Sequence, residues 1–194
     1  MKREAFVAKV VAEALSAGIS VKIINKKTLN KLGGWFDGKE LVVAYNNGEG
    51  FSTLVHEYCH MQQYLENCKA WRQSVTPGSE LFLHWIRGKA PADVDHSSLF
   101  CSMQSCIAVE YDCEKRVLQC IKKYNLDIDA AQYTKGANIY LYAHHRMLQD
   151  NRWYVNMHHD HNYNVVPATL LPLKYYKMDT DKKGNKISEQ LNLM

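Results

Sequence analysis

The stretch TLVHEYCHMQQYLE, residues 53–66, places two histidines four residues apart, with a glutamate directly after the first. On an α-helix each residue advances by about 100°, so His60 lies one turn beyond His56 and only about 40° from it around the axis. Both imidazoles can therefore reach one metal ion. Glu57 lies on the adjoining flank, close enough to act on a water molecule bound to that ion. The pattern predicts a metal-activated hydrolytic site on a helix.

The chemistry of this HExxH arrangement depends on the metal ion and the glutamate together. The ion lowers the pKa of its bound water and polarises the carbonyl of the scissile bond. Glu57 would accept the proton of that water and relay it as general base and acid. The competing interpretation is a pair of core histidines on an ordinary amphipathic helix. The apolar neighbours Leu54 and Val55 and a predicted hairpin just before the helix favour the metal site.

A third ligand is needed, because a catalytic zinc ion takes three protein ligands and leaves its fourth position open. The motif does not extend to HExxHxxGxxH, whose last histidine would be the third ligand, because Gln63 and Glu66 occupy the positions of that glycine and histidine. Glu66 also faces about 240° away from His60 around the helix. A better source is the segment VEYDCEK, in which Glu110 and Glu114 lie four residues apart on one face of a predicted long helix.

We predict that Glu110 is the third ligand, because it follows the apolar segment CIAV and a carboxylate in such surroundings needs a specific partner. Glu114 is predicted to orient a ligating histidine, since ligating imidazoles generally donate their second N–H to a carboxylate or a carbonyl. The competing interpretation is that both glutamates are solvated and pair with nearby lysines. Alternative third ligands are Glu114, Asp95, His96 and His84.

Further candidates lie beyond the two glutamates. A peptidase of this kind needs a donor that stabilises the oxyanion, and Tyr140 and His144, one turn apart, are catalytic candidates for that role. The competing interpretation is a buried aromatic residue and a surface histidine. The segment HHDH, residues 158–161, could form a second metal site. Adjacent histidines diverge in most conformations, so we interpret this segment as a solvated or substrate-lining loop.

The order of the predicted elements indicates an α+β fold, in which an N-terminal helix and a small, mainly antiparallel sheet precede the HExxH helix and further long helices. Asp37 and Gly38 form a strong turn signal for a hairpin, whose second strand could bind an extended peptide or be a plain core strand. We predict one domain over residues 1–175 and a polar tail over 176–194. The predicted elements are a helix over 3–17, strands over 19–24 and 41–45, and helices over 53–67, from 79, over 97–124 and over 128–150.

Composition excludes several classes of protein. The chain has 194 residues, 46% of them hydrophobic, and a net charge of +4, which is too small for a dense basic nucleic-acid surface. No apolar run approaches the roughly 20 residues of a bilayer span, and charged residues interrupt the first helix as they would not in a signal peptide. The six cysteines include no CxxC, so a zinc ribbon or a thioredoxin-like site has no support. Without a secretory signal we expect reduced thiols and a cytoplasmic location.

The order of short helix, hairpin, HExxH helix and long ExxxE helix resembles a compact gluzincin-type metallopeptidase domain. More narrowly, HEYCHMQQYLEN, VEYDCEKRVL and GANIYLYAHHRMLQDNRWY resemble metallopeptidases encoded by tailed bacteriophages and their bacterial hosts. The resemblance covers most of residues 35–155. It implies a zincin-like fold with one zinc ion per chain. The implied ligands are His56, His60 and Glu110, with Glu57 as general base and acid.

Two functions follow as expectations. The first is a zinc metallopeptidase, more readily an endopeptidase than an exopeptidase, that acts on peptide or protein substrates in the cytoplasm of the host cell. The second is a catalytically silent zincin-fold protein that binds and sequesters a host or viral protein. An intact Glu57 favours the enzyme, because a pure binding protein has no use for a general base. A nucleic-acid-associated role has no support beyond the basic residues.

Overall fold

The computed structural model describes residues 1–30, 32–91, 93–153 and 166–177. Within these ranges the chain is a mixed α+β protein with seven helices and one small sheet, which confirms the predicted class. None of the described helices combines the length and apolar character that a bilayer span requires. In chain order the elements are α1 Arg3–Ser16, β1 Ser20–Ile24, β2 Gly34–Phe36, β3 Glu40–Ala44, α2 Gly50–Leu65, α3 Lys69–Ser74, α4 Leu81–Ile86, α5 His96–Tyr124, α6 Ala130–Asp150 and α7 Leu173–Lys177.

The chain divides into two compact units. The first comprises Met1–Cys68 and Cys113–Ile128, and the second comprises Lys69–Asp112 and Asp129–Met194. The long helix α5 is continuous, so its last turns belong to the first unit and its earlier turns to the second. The single domain over 1–175 stays a prediction. The predicted polar tail begins inside α7, and residues 178–194 lie outside the described ranges.

The predicted hairpin is confirmed, and its turn has the expected chemistry. The carboxylate of Asp37 accepts hydrogen bonds from the backbone N–H groups of Lys39 and Glu40, each at 2.9 Å. Gly38 has a φ of 88°, a left-handed conformation that glycine adopts without steric cost. The turn therefore joins β2 to β3 as an antiparallel pair, with Gly34 opposite Val43.

The sheet is mixed, so the prediction of a mainly antiparallel sheet is wrong. Its order is β1-β3-β2, and β1 runs parallel to β3 with Ser20 opposite Glu40. Two reversals of the chain, one before β2 and one after it, bring β3 parallel to β1. Because β3 has a partner on each side and residues 41–44 are buried, it is a core strand and not a peptide-binding edge.

The core of the first unit lies where α1 meets α2 and the end of α5. Phe6, Val10 and Ala14 recur every fourth residue on α1 and are fully buried. The ring of Phe6 packs edge-on against Tyr58 of α2 with centroids 5.5 Å apart, and it lies tilted against Tyr124 of α5 at the same centroid distance. Aromatic packing of this kind holds the HExxH helix at a defined position in the first unit.

The second unit has its own core, formed by the earlier turns of α5 together with α4, α6 and α7. Asn138 of α6 donates to the carbonyls of Pro167 at 2.8 Å and Thr169 at 3.2 Å, and its side-chain oxygen accepts from the hydroxyl of Tyr176. The sequence around Pro167 and Pro172 predicts an extended segment there. Instead, α7 begins directly after Pro172, in agreement with the tolerance of helix starts for proline.

Candidate metal centre

The two histidines of the HExxH motif meet on one face of α2. The Nε2 atoms of His56 and His60 are 3.1 Å apart, and their ring centroids are 4.7 Å apart with the planes at 80°. His60 is buried, whereas His56 remains partly accessible. The i, i+4 spacing therefore brings both imidazoles to one point, as the sequence predicts.

The other nitrogen of each ring faces an oxygen acceptor. His60 Nδ1 is 2.8 Å from Oε1 of Gln63, a fully buried side chain one turn further along α2. His56 Nδ1 is 3.4 Å from Oε1 of Glu114, which is 3% exposed and lies in the part of α5 that belongs to the first unit. With the ring protons on the two Nδ1 atoms, where these acceptors lie, the lone pairs of both Nε2 atoms point toward each other.

This arrangement fits a bound cation. Two metal–nitrogen bonds of about 2.0–2.1 Å at a tetrahedral angle separate the nitrogens by about 3.3 Å. The observed Nε2–Nε2 distance is 3.1 Å. A hydrogen bond between the same atoms would require a third ring proton, and hence an imidazolium, once both Nδ1 atoms donate. A divalent ion satisfies both lone pairs without that proton.

Cys113 joins the histidines in a group that could hold a metal ion. One ligand atom from each of His56, His60 and Cys113 can be chosen so that all three lie within 4.8 Å of one another. The Cys113 thiol is 3.7 Å from His56 Nδ1 and donates to the His56 carbonyl oxygen at 3.4 Å. Neither Cys113 nor Gln63 is among the site residues predicted from the sequence. Two features of the sequence point to them: Cys113 directly precedes Glu114, and Gln63 follows His60 by three residues on the same helix.

Glu57, the predicted general base, lies in a buried position next to the sheet. Its side chain is close to Gly34 of β2, where an added Cβ would meet Cγ of Glu57 at 3.3 Å and the carbonyl oxygen of Val42 at 2.6 Å. Any larger residue at position 34 would therefore press on both the sheet and the glutamate. The absence of a side chain there leaves room for Glu57 beside β2.

Glu110, the predicted third ligand, lies one turn before Glu114 on the same continuous helix, so the two carboxylates project from one side of α5. Within the second unit its negative charge acts on two neighbours. Burial raises the pKa of the Cys106 thiol to about 12, and Glu110 adds to that rise. Burial lowers the pKa of His144, while Glu110 opposes this shift.

The role of Glu110 as a ligand stays a prediction. The other residues considered for it in the second unit are less suited to a buried centre, because all three are exposed. They are His84, Asp95 and His96.

Tyr140 and His144, the predicted oxyanion donors, lie on α6 in the second unit. His144 is 2% exposed, and its Nδ1–H donates to the Tyr140 carbonyl at 3.0 Å. Its ring stacks on Phe82 with centroids 5.7 Å apart. In this tautomer Nε2 carries no proton and can only accept a hydrogen bond. Burial lowers the pKa of His144, which disfavours a second proton on the ring. Of the two, Tyr140 is the better suited to donate; both roles stay predictions. The segment 158–161 lies outside the described residues.

Replacing Glu114 by glutamine is expected to raise the dissociation constant for zinc by about tenfold or more, since partners that orient a ligating histidine contribute 10–100-fold to metal affinity. The glutamine keeps the shape but removes the negative charge 3.4 Å from His56. Competition with a chromophoric chelator measures the constant. Glu66→Gln is the matched control, because Glu66 pairs with Arg116 at 2.7 Å and is half-exposed. Equal constants for the two variants would contradict the role of Glu114.

Comparison with known proteins adds no family assignment, since no family model, no curated protein and no solved structure matches this chain.

Proposed function

We propose that this protein is a zinc-dependent metallopeptidase, in which His56 and His60 bind the ion and Glu57 activates the attacking water. The observation that carries the proposal is the approach of the two Nε2 atoms to 3.1 Å while each Nδ1 faces a buried oxygen acceptor. Such an arrangement has the coordination chemistry of a histidine metal site, in which outer acceptors fix the ring tautomers. The resemblance of three sequence segments to phage and bacterial metallopeptidases agrees with it.

The remaining ligand comes from α5. Glu110 is our preferred third ligand, because it precedes Glu114 by one helical turn and Glu114 already faces His56. Cys113 is the alternative, since its thiol belongs to the same group as the two histidines. Imidazole and carboxylate ligands suit zinc, and a thiolate would favour it further over magnesium or calcium.

The chain's own residues have defined tasks in peptide hydrolysis. When bound, the zinc ion supplies a Lewis acid and a water molecule of lowered pKa. The carboxylate of Glu57 takes a proton from the attacking water and delivers it to the amide nitrogen of the leaving group. The buried position of Glu57 beside β2 limits competing solvent around that carboxylate. Glu114 holds the His56 ring so that Nε2 keeps its lone pair.

Metal analysis combined with peptide cleavage tests the proposal. We expect about one zinc ion per chain after reconstitution, and cleavage of a mixed peptide library that stops with 1,10-phenanthroline and returns with added zinc. A protein that binds no zinc even after reconstitution would overturn the metal centre. A protein that binds zinc but cleaves no peptide or unfolded protein would overturn the peptidase and leave the partner-binding function.

A further inference from the structure

A pair of thiols lies close to the HExxH motif in the first unit. Cys59 of α2 directly precedes His60, and its Sγ is 3.9 Å from the Sγ of Cys120 on the last turns of α5, to which it donates a hydrogen bond. The exposure of the two sulfurs differs. Cys59 is 1% exposed, whereas Cys120 is only partly buried. One thiol is thus open to small reagents and has a second, protected thiol as its neighbour.

The surroundings of Cys120 favour its thiolate form. The hydrogen bond from Cys59 lowers the pKa of the Cys120 thiol, and Lys123, Lys9 and Arg116 lower it further against the opposing effect of burial. Lys123 and Arg116 lie three residues after and four residues before Cys120 on α5, and Lys9 is on α1. A cationic, partly accessible site of this kind is where reactive cysteines occur.

We infer that Cys120 and Cys59 are a thiol–disulfide exchange site for small-molecule disulfides of the glutathione type. The Cys120 thiolate attacks one sulfur of the disulfide, which forms a mixed disulfide and releases one small thiolate. The sulfur of Cys59 then attacks the sulfur of Cys120, the Cys59–Cys120 bond forms, and the second small thiol leaves with the proton of Cys59. The two cysteine sulfurs lose two electrons, and the two sulfurs of the small disulfide gain them.

The exchange has a consequence for the motif, and this part rests on the proposed metal centre. The two sulfurs must close from 3.9 Å to about 2.05 Å to form the bond. Cys59 lies between the proposed ligands His56 and His60 on α2. Formation of the Cys59–Cys120 disulfide therefore draws that turn of the helix toward α5. We expect oxidation to weaken zinc binding by about tenfold or more, as loss of correct ligand orientation does in other sites. The pair would link zinc binding to the thiol redox state.

Three of the other cysteines differ from Cys120 in ways that affect their reactivity. Cys101 is exposed, and Cys106 is held as a thiol by a pKa of about 12. Cys113 is buried and donates to the His56 carbonyl. If exposure alone decided the rate, Cys101 would react first. If the cationic surroundings decide it, Cys120 reacts first.

The test uses the full-length protein with oxidised glutathione as the probe. Free thiols are trapped at successive times, and peptide mapping by mass spectrometry locates each modification. We expect Cys120 to react before Cys101 and a Cys59–Cys120 disulfide to accumulate, with reversal by a reducing agent. Reaction of Cys101 before Cys120, or the absence of a Cys59–Cys120 disulfide at complete reaction, would overturn the inference.

Two variants and a control separate the steps. Cys59→Ser should retain a glutathionyl group on Cys120, because the resolving thiol is gone. Cys120→Ser should leave Cys59 unmodified, and Cys101→Ser should form the disulfide at the rate of the parent. Loss of glutathione from the Cys59→Ser variant as fast as from the parent would contradict the resolving role. These readouts require neither zinc nor peptidase activity, so their failure is distinct from a failure of the proposed function.

Discussion

Replacing Glu57 by glutamine is expected to reduce kcat/KM for a cleaved peptide by about 10³-fold, within the 10²–10⁴-fold range of general acid–base catalysis. The glutamine amide has nearly the same size and fits the same space beside Gly34 and β2. It cannot accept a proton from water at neutral pH. Both histidines remain in place, so zinc content should stay at the level of the parent. A loss of activity without a loss of metal is the specific signature of a general base.

Steady-state cleavage of a peptide selected from the library, with zinc measured on the same samples, provides the comparison. Glu66→Gln is the matched control, since Glu66 ends the same helix and is half-exposed in its ion pair with Arg116. The control should keep the activity of the parent. If Glu57→Gln bound zinc and cleaved the peptide at the parental rate, the assignment of Glu57 as the base would be wrong.

Replacing His60 by alanine is expected to raise the zinc dissociation constant by more than about 100-fold, because groups that only orient a ligand already contribute 10–100-fold. His60 is buried and its Nε2 faces that of His56. A water molecule in place of the imidazole would therefore not keep the ligand geometry of the site. Peptide cleavage should fall with the zinc content. This variant therefore loses both metal and activity, in contrast to Glu57→Gln.

Thermal unfolding gives a second measure of the same effect. A ligand that binds only the folded state at 100 times its dissociation constant adds about 2.7 kcal/mol to the free energy of unfolding. Zinc should raise the Tm of the parent and leave that of His60→Ala unchanged. His84→Ala is the control, because His84 is an exposed histidine on α4 and its loss should preserve the zinc-dependent rise. An equal rise for His60→Ala and the parent would rule out His60 as a ligand.

Local patterns were sufficient to predict the elements that carry the candidate site. The long helices α1, α2, α5 and α6 begin and end within about three residues of their predicted limits, because an amphipathic period of 3.6 residues extends over many turns. The turn at Asp37 and Gly38 also follows from local chemistry. The meeting of His56 and His60 depends only on the helix that carries them, so their spacing alone predicts it.

Only the tertiary structure decided which side chains from other elements complete the site. Cys113 approaches the histidines through the packing of α5 against α2, whereas Gln63 reaches His60 from three residues further along the same helix. The thiol of Cys59 meets that of Cys120 across 61 residues of chain, a separation at which composition carries no information about contact. Such contacts depend on how apolar faces pack, which is a property of the whole core.

The same distinction explains the two main differences between the predicted fold and the observed one. The parallel pairing of β1 with β3 follows from the position of β2 on the opposite edge of β3, and a period-two pattern does not encode strand direction. The short helix α7 forms where Tyr176 is buried against Asn138. The amino-acid sequence by itself thus determined the long helices, the hairpin and the paired histidines, since these depend on interactions within a few residues. The tertiary structure decided strand order, the approach of Cys113 to the histidines and the thiol pair, because each requires residues that are distant in the chain to share one core.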